Sequence, residues 1–183
     1  MREFQSERQR EVTIDEHFFI GYRKTSIATD EIIRGIWIPL TKQHEYVNAY
    51  KQAARREDDI SIVTGAFSTS LEPETFRVRH CSISFGGMAP TTILALETMK
   101  TMQNQIFSPV LLESASQSLA SSLRLPPGVP GGMSRFRLAL TIAFLHKHFL
   151  DVAKKANITS LPNRLLPSSI ETPDMLQSTQ VYQ

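Results

Sequence analysis

The sequence has little cysteine, no long apolar run and almost no excess charge, and each shortage excludes a class of protein. One cysteine, Cys81, among 183 residues excludes an internal disulfide. It also excludes an iron–sulfur cluster built by this chain alone, which needs about four thiolates. No run approaches the ~18 apolar residues of a membrane-spanning helix. The net charge is only +2 and the basic residues are spread along the chain rather than clustered, which argues against nucleic-acid binding.

Location and size follow from the same composition. A lack of cysteine pairs fits a reducing compartment, and the charged N-terminus has no apolar signal-peptide core, so we expect the cytoplasm. The 183 residues, of which 41% are apolar, suffice for one domain with a real core. After Asn157 the chain is rich in Pro, Ser and Gln without periodicity, which predicts a linker or disordered tail over residues 158–183.

The first half of the chain is rich in residues that favour strands. Strands are predicted over residues 31–40, 60–72 and 76–87, the last two forming a hairpin. Residues 41–57 carry apolar side chains three and four positions apart, which fits either a short amphipathic helix or an irregular strand. Residues 11–31 have short apolar pieces without a helical period, which indicates a strand remnant followed by a loop.

The second half shows helical periodicity. Helices are predicted over residues 90–106, 108–123 and 134–157. Their expected first turns contain residues suited to a helix start, namely Pro90, Ser108 with Pro109, and Ser134. Strands followed by helices predict an α+β fold, with a small antiparallel sheet of three to four strands followed by a bundle of three helices.

Recognisable catalytic motifs are scarce. The sequence contains no dinucleotide-binding or phosphate-loop pattern and no metal-ligand spacing. His146 and His148 are two residues apart and would face different sides of a helix, so surface or packing roles are expected rather than a metal site. Cys81 lies in a predicted strand without a surrounding motif, which favours a buried structural thiol over a nucleophile.

One segment is unusually charged. Residues 50–60, "YKQAARREDDI", carry six charged side chains in eleven positions between two apolar stretches. A solvated turn would explain this density, and so would the edge of a site for a polar ligand. In the second case Lys51 could neutralise an anionic group, and Asp58 or Asp59 could accept hydrogen bonds from a polar ring. The residues alone leave both interpretations open.

Six blocks in register identify a family resemblance. They are "FFIGYRKT" (18–25), "EIIRGIWIP" (31–39), "YKQAARREDDI" (50–60), "FGGMA" (85–89), "LPPGVPGGM" (125–133) and "FRLALTIAFLHKHFL" (136–150). Over about residues 11–157 the chain resembles the C-terminal half of the FAD domain of eukaryotic xanthine dehydrogenase/oxidase, the carbon monoxide dehydrogenase flavoprotein C-terminal domain. The "RREDD" block favours this branch over the similar aldehyde oxidases.

The resemblance implies a set of residues around FAD. Lys51 aligns with a lysine that contacts the flavin, and Ile33 with an apolar residue, usually leucine, packed at the isoalloxazine ring. Asp58 falls in a loop that approaches the flavin face where NAD binds. Arg56 matches an arginine that positions this loop, and Tyr22 matches a tyrosine near the nicotinamide pocket. No catalytic or metal-binding residue is implied in this chain.

The resemblance also implies an organisation and partners. Residues 1–25 would be a remnant of the preceding FAD-binding half, 26–157 the flavoprotein C-terminal domain, and 158–183 a linker toward a molybdenum domain. Iron–sulfur clusters and molybdopterin would lie outside this chain, with NAD or oxygen as electron acceptor and a homodimer formed through the parent enzyme. The chain would therefore be inactive alone. The alternatives are an aldehyde oxidase-type flavin domain and a non-catalytic stand-alone interaction module.

Overall fold

A computed structural model describes residues 9–55 and 58–158 and shows an antiparallel sheet with helices on one of its faces. In chain order the elements are β1 (Phe19–Gly21), β2 (Lys24–Thr25), β3 (Glu45–Ala53), β4 (Ser61–Leu71), β5 (Val78–Gly86), β6 (Ile93–Leu94), α1 (Leu96–Met102), α2 (Pro109–Ser122) and α3 (Ser134–Lys155). The predicted α+β class is confirmed. The predicted tail lies outside the described residues except for Ile158, which is buried.

The main sheet has four antiparallel strands in the order β3-β4-β5-β6. The predicted hairpin over 60–72 and 76–87 is confirmed as β4 and β5. Strand β3 pairs with β4 along its whole length. Among the described residues it pairs with no other strand of this sheet, so it forms one edge. Strands β1 and β2 form a separate two-stranded hairpin.

The core lies between the sheet and the helices. Phe67 of β4 packs edge-on against Phe85 of β5, with ring centroids 5.6 Å apart, and against Tyr50 of β3 at 5.8 Å. Deeper in the helical layer, Phe107 stacks on Phe149 of α3 with centroids 4.1 Å apart. Because the large aromatic side chains all lie on the helix side of the sheet, its other face is left to small residues.

The ambiguous segment 41–57 contains the strand β3. Alternate side chains explain this outcome: Tyr46, Asn48 and Tyr50 are partly buried toward the helices, whereas Ala49 and Lys51 are exposed on the opposite side. A strand places successive side chains on opposite faces, so the three- and four-residue spacing seen in the sequence did not reflect a helical face.

The prediction of a strand over residues 31–40 is wrong. The segment belongs to no helix or strand. It exposes six large apolar side chains, with relative exposures of 63–91%: Ile32, Ile33, Ile36, Trp37, Ile38 and Leu40. A β-branched run becomes a strand only beside a strand that can take up its backbone hydrogen bonds, and within residues 9–55 and 58–158 the segment pairs with none.

Two helix starts also differ from the prediction. The helix expected from Pro90 begins only at Leu96, because Ile93–Leu94 pair with β5 as strand β6 before the chain turns. Ser134 does not cap α3 but is its first residue, after Met133 in a left-handed conformation. Helix α2 agrees with the sequence, since Ser108 caps it by accepting a hydrogen bond from the Leu111 amide.

Candidate functional site

The sheet face opposite the helices is flat and open. Strand pairing sets small side chains beside one another in rows, including Val47–Ser68–Ser82 and Ala49–Ala66–Ser84. Thr64 and Ala66 are exposed, and Val47 keeps half of its surface accessible. We call this surface the open face. It offers room for a flat group or for another layer of protein.

Lys51 stands at one end of the open face. It lies opposite Thr64, which in turn lies opposite Gly86, so one row holds a lysine, a threonine and a glycine. A Cβ at position 86 would lie 2.5 Å from the Thr64 hydroxyl oxygen, so a larger residue there would have to displace the Thr64 side chain. Among the described residues, no salt bridge involves Lys51. The ammonium group is an exposed cation beside a flat polar surface.

The charged loop between β3 and β4 is organised by its own side chains. The Asp59 carboxylate accepts a hydrogen bond from the Arg55 amide at 2.8 Å, and the Arg55 guanidinium donates to the Asp58 carbonyl at 2.9 Å. Asp58 has φ of 49°, a left-handed conformation that aspartate tolerates better than most residues. The predicted site residue Arg56 lies outside the described residues. Lys51 and Asp58 are thus carried by the same end of the β3–β4 hairpin.

Tyr22 and Ile33 lie on the segment that precedes the main sheet. Tyr22 is in the turn of the β1–β2 hairpin and is 71% exposed, with the Arg23 guanidinium 5.6 Å from its ring centroid. Ile33 is 63% exposed in the apolar segment 32–40. The hydrogen bonds that shape this region are local: Arg10 donates to the Glu31 carboxylate and to the Ser26 carbonyl. These two predicted residues are both largely exposed to solvent.

Sequence reasoning did not find a buried polar cluster on the other side of β3. His148 has no exposed surface, and its ring nitrogens contact Asn48 and Thr69. The prediction of a packing histidine is confirmed for His148. His146 faces α2 instead, with Nε2 3.1 Å from the Ser116 hydroxyl. No group of three or more His, Cys, Asp and Glu side chains in the described part of the chain could hold a metal ion.

Cys81 is the buried thiol that the sequence predicted. It is 2% exposed, its sulfur lies 3.6 Å from the Met99 carbonyl oxygen, and burial raises the pKa of the thiol to about 11. Since the thiolate is the reactive form, we expect Cys81 to react with a disulfide reagent at pH 8 at least about 100-fold more slowly in the native chain than in urea. Native and unfolded rates within a few-fold of each other would contradict this expectation.

Comparison with known proteins places the chain in a family. A family model described as the CO dehydrogenase flavoprotein C-terminal domain matches residues 48–152. This range is more than half of the chain and includes Lys51, Asp58 and the main sheet except for the first three residues of β3. The chain belongs to the CO dehydrogenase flavoprotein C-terminal domain family.

Individual relatives agree with this membership. The chain is 40% identical to xanthine dehydrogenase/oxidase of Gallus gallus over 187 residues, which cover 97% of this chain and 14% of that protein. It is also 40% identical to xanthine dehydrogenase of Calliphora vicina, of which it covers 13%. The chain therefore spans about one seventh of the length of these relatives.

Solved structures show the same fold. Quinoline 2-oxidoreductase from Pseudomonas putida 86 superposes with a TM-score of 0.62 at 19% identity, over 76% of this chain and 47% of that one. Carbon monoxide dehydrogenase from Hydrogenophaga pseudoflava gives a TM-score of 0.64 at 18% identity, with the same coverage. None of the helices described here is long and apolar enough to cross a membrane.

Proposed function

We propose that this member of the flavoprotein C-terminal domain family forms one side of the FAD site of a xanthine dehydrogenase-like molybdo-flavoenzyme. The observation that carries the proposal is the position of Lys51: an exposed cation at the end of the flat row formed with Thr64 and Gly86. FAD has a planar ring system that becomes more negative on reduction, so a flat surface can lie against the ring and a positive charge at its edge can stabilise the reduced form.

The residues present fit one edge of a flavin. The residue at position 86 is glycine, so no side chain occupies the space beside Thr64. The flat row would therefore leave room for the ring. The ammonium group of Lys51 would hold positive charge at the ring edge, and the loop that carries Asp58 would lie nearby. The flavin, when bound, supplies the electron-transfer chemistry. We propose that the donors for its phosphates come from other parts of the parent protein.

The apolar segment 32–40 supports the same proposal. Successive side chains in this segment are exposed, including Ile32 with Ile33 and Trp37 with Ile38. A segment that is apolar on both sides is typical of a strand covered on both faces. Such a surface is stable in water only when another part of the protein covers it. We propose that the preceding half of the flavin domain is that part, with Ile33 and Tyr22 brought to the flavin by the same assembly.

The wider setting follows from the proposed parent enzyme. Electrons would arrive from iron–sulfur clusters that receive them from a molybdopterin centre, and NAD or oxygen would accept them from the flavin. We propose that residues 26–157 form the domain, that 1–25 belong to the preceding half, and that 158–183 connect to the molybdenum domain. The partners would be those remaining domains and, through them, a second copy of the enzyme in the cytoplasm.

Replacing Lys51 by alanine tests the proposal. In the native polypeptide that contains this chain, we expect Lys51→Ala to lower the flavin content at limiting FAD, or to shift the flavin midpoint potential to a more negative value. The reason is that the reduced, more negative ring loses its neighbouring cation. Lys51→Arg keeps the charge and should retain most of both properties. Flavin content is measured by absorbance after release, and the potential by redox titration.

Lys100→Ala serves as the control for this measurement. Lys100 is also exposed, but it lies on α1, on the helix side of the sheet, where it pairs with Glu97 at 2.8 Å. Its replacement should leave the flavin unchanged. A Lys51→Ala protein with the flavin content and potential of the Lys100→Ala protein would reject the proposed role of Lys51. A native polypeptide that binds no FAD would favour an interaction module instead.

A further inference from the structure

A chain of buried and partly buried hydrogen bonds joins helix α3 to strands β3 and β4. His148 Nδ1 lies 2.7 Å from Asn48 Oδ1 on β3, and Nε2 lies 2.8 Å from Thr69 Oγ1 on β4. The Asn48 amide nitrogen donates to the Asp151 carboxylate at 2.9 Å. Thr69 and His148 have no exposed surface. We call these four residues the His148 clamp.

The hydrogen-bond directions place a hydrogen on Nδ1 of His148. Asp151 can only accept from Asn48, which places the amide oxygen of Asn48 toward His148. A carbonyl oxygen accepts, so His148 Nδ1 carries the hydrogen. The neutral ring then accepts at Nε2 from the Thr69 hydroxyl. Every polar group is satisfied in this arrangement with a neutral ring, whereas protonation at Nε2 would reverse the direction of the Thr69 hydrogen bond and place a charge on a fully buried ring.

The surroundings of the ring favour its neutral form. Burial lowers the pKa of His148 to about 4, while Asp151 raises that pKa by a smaller amount and Lys155 lowers it. Asp151 is itself paired with Lys155 at 2.7 Å. From β3 the titratable side chains on this face are Tyr46, which lies opposite Thr69, and Tyr50, whose pKa burial raises to about 12. From β4 the ring meets the uncharged Thr69 and the ring of Phe67, 5.1 Å away.

Strand β3 depends on the clamp because it is an edge strand. It has a neighbouring strand on one side only, and toward the helices it is held by Asn48 and by the Tyr50 ring, which stacks on Phe144 at 5.6 Å. Lys51 follows these residues on the same strand and points to the open face. Any shift or rotation of β3 relative to α3 therefore moves the Lys51 ammonium group.

We propose that the neutral His148 ring, acting through Asn48, clamps the edge strand β3 to α3 and so positions Lys51 on the open face. His148 is a positioning residue in this arrangement and touches no ligand. The clamp itself stands on the hydrogen bonds described above, and only its consequence for a flavin rests on the proposed function. The clamp should be sensitive to acid, because protonation at Nε2 puts a positive charge on a ring with no exposed surface and removes the acceptor of the Thr69 hydroxyl.

Amide hydrogen exchange in the complete chain tests the clamp without any flavin. For His148→Phe we expect protection factors in β3 to fall about ten-fold, equivalent to about 1.4 kcal/mol, because Asn48 loses its buried partner. Protection in β5, which has no residue in the clamp, should change less than about two-fold on this scale. The matched control is His146→Phe, on the same helix but facing α2, which should leave β3 unchanged.

The pH dependence separates a titrating clamp from simple packing. The folded-state pKa of His148, about 4, lies below the ordinary value of 6.5, so its contribution is complete above pH 6.5 and is lost as the pH falls toward 4. We expect β3 protection factors, corrected for intrinsic exchange, to fall over this window in the wild-type chain. His148→Gln can donate to Asn48 and accept from Thr69 without titrating, and it should flatten this fall.

Three results would overturn the proposal. They are unchanged β3 protection in His148→Phe, an equal loss of protection in all strands, and the same acid dependence in His148→Gln as in the wild type. The flavin measurement remains separate. If Lys51→Ala leaves the flavin unaffected while the exchange results are as expected, the clamp stands and the proposed flavin contact fails. If Lys51→Ala lowers flavin content but β3 exchange is unaffected by His148→Phe, the proposed flavin contact stands and the clamp fails.

Discussion

Phe149→Ala should lower the free energy of unfolding of the complete chain by about 3–5 kcal/mol, the usual loss when a buried phenylalanine is truncated. Phe149 has no exposed surface and stacks on Phe107 with centroids 4.1 Å apart. Its removal leaves a cavity between α3 and the segment before α2 and abolishes an aromatic pair. Because domains of this kind are stabilised by only about 5–15 kcal/mol, the variant should be close to unfolding at 37 °C.

A second phenylalanine on the same helix provides the control. Phe136 lies in the first turn of α3 and is 47% exposed. Phe136→Ala should lower the free energy of unfolding by less than about 1 kcal/mol, because it creates no enclosed cavity. Urea unfolding followed by circular dichroism measures both variants. Equal losses at the two positions would show that the core is not centred on the Phe107–Phe149 stack.

Gly87→Ala should be the other severe substitution, with a loss of about 3 kcal/mol in the free energy of unfolding. Gly87 follows β5 with φ of 85°, and its missing Cβ points at the backbone of the neighbouring strand. An added Cβ would overlap the Ile62 carbonyl oxygen and would sit 3.4 Å from the Val63 Cα. The left-handed conformation and the steric overlap each contribute about 1–3 kcal/mol, and a backbone atom cannot turn aside as a side chain can.

Gly128→Ala separates these two contributions. Gly128 has a similar φ of 79°, but nothing lies within 4 Å of a Cβ built there. Alanine at this position meets the conformational strain alone, about 1 kcal/mol. The free energies of unfolding of the two variants, calculated from their urea midpoints with a common slope, should therefore differ by about 2 kcal/mol. A Gly87→Ala protein as stable as Gly128→Ala would mean that the β5 turn moves away from β4 without difficulty.

Local sequence patterns were sufficient for the elements whose partners lie close in the chain. Strands β4 and β5 and helix α2 follow the predicted ranges because alternation, turn residues and the Ser108 cap act over a few residues. Residues 41–57 stayed ambiguous because their apolar spacing fits a helix, and only the pairing with β4 decides for a strand. The segment 31–40 has strand composition, but composition cannot supply a neighbouring strand.

The candidate site divides in the same way. The charge density of residues 50–60 pointed to Lys51 and Asp58, and the structure places both at one end of a hairpin. Their contact with a flavin stays a prediction. The His148 clamp could not be predicted, because Asn48 is 100 residues and Thr69 is 79 residues from His148. No spacing rule links such distant residues, and each of them alone is an ordinary strand or helix residue.

The separation of β3 and α3 along the sequence also sets the order in which parts of the fold can form during synthesis. The hairpins of the sheet join residues near one another in sequence, so they close small loops at little entropic cost. Helix α3, which covers Phe67 and Tyr50, starts only at Ser134. Until the ribosome has released the residues between the end of β6 at Leu94 and the end of α3 at Lys155, the aromatic face of a finished sheet remains open to water. A nascent chain in this state exposes the kind of surface that chaperones bind.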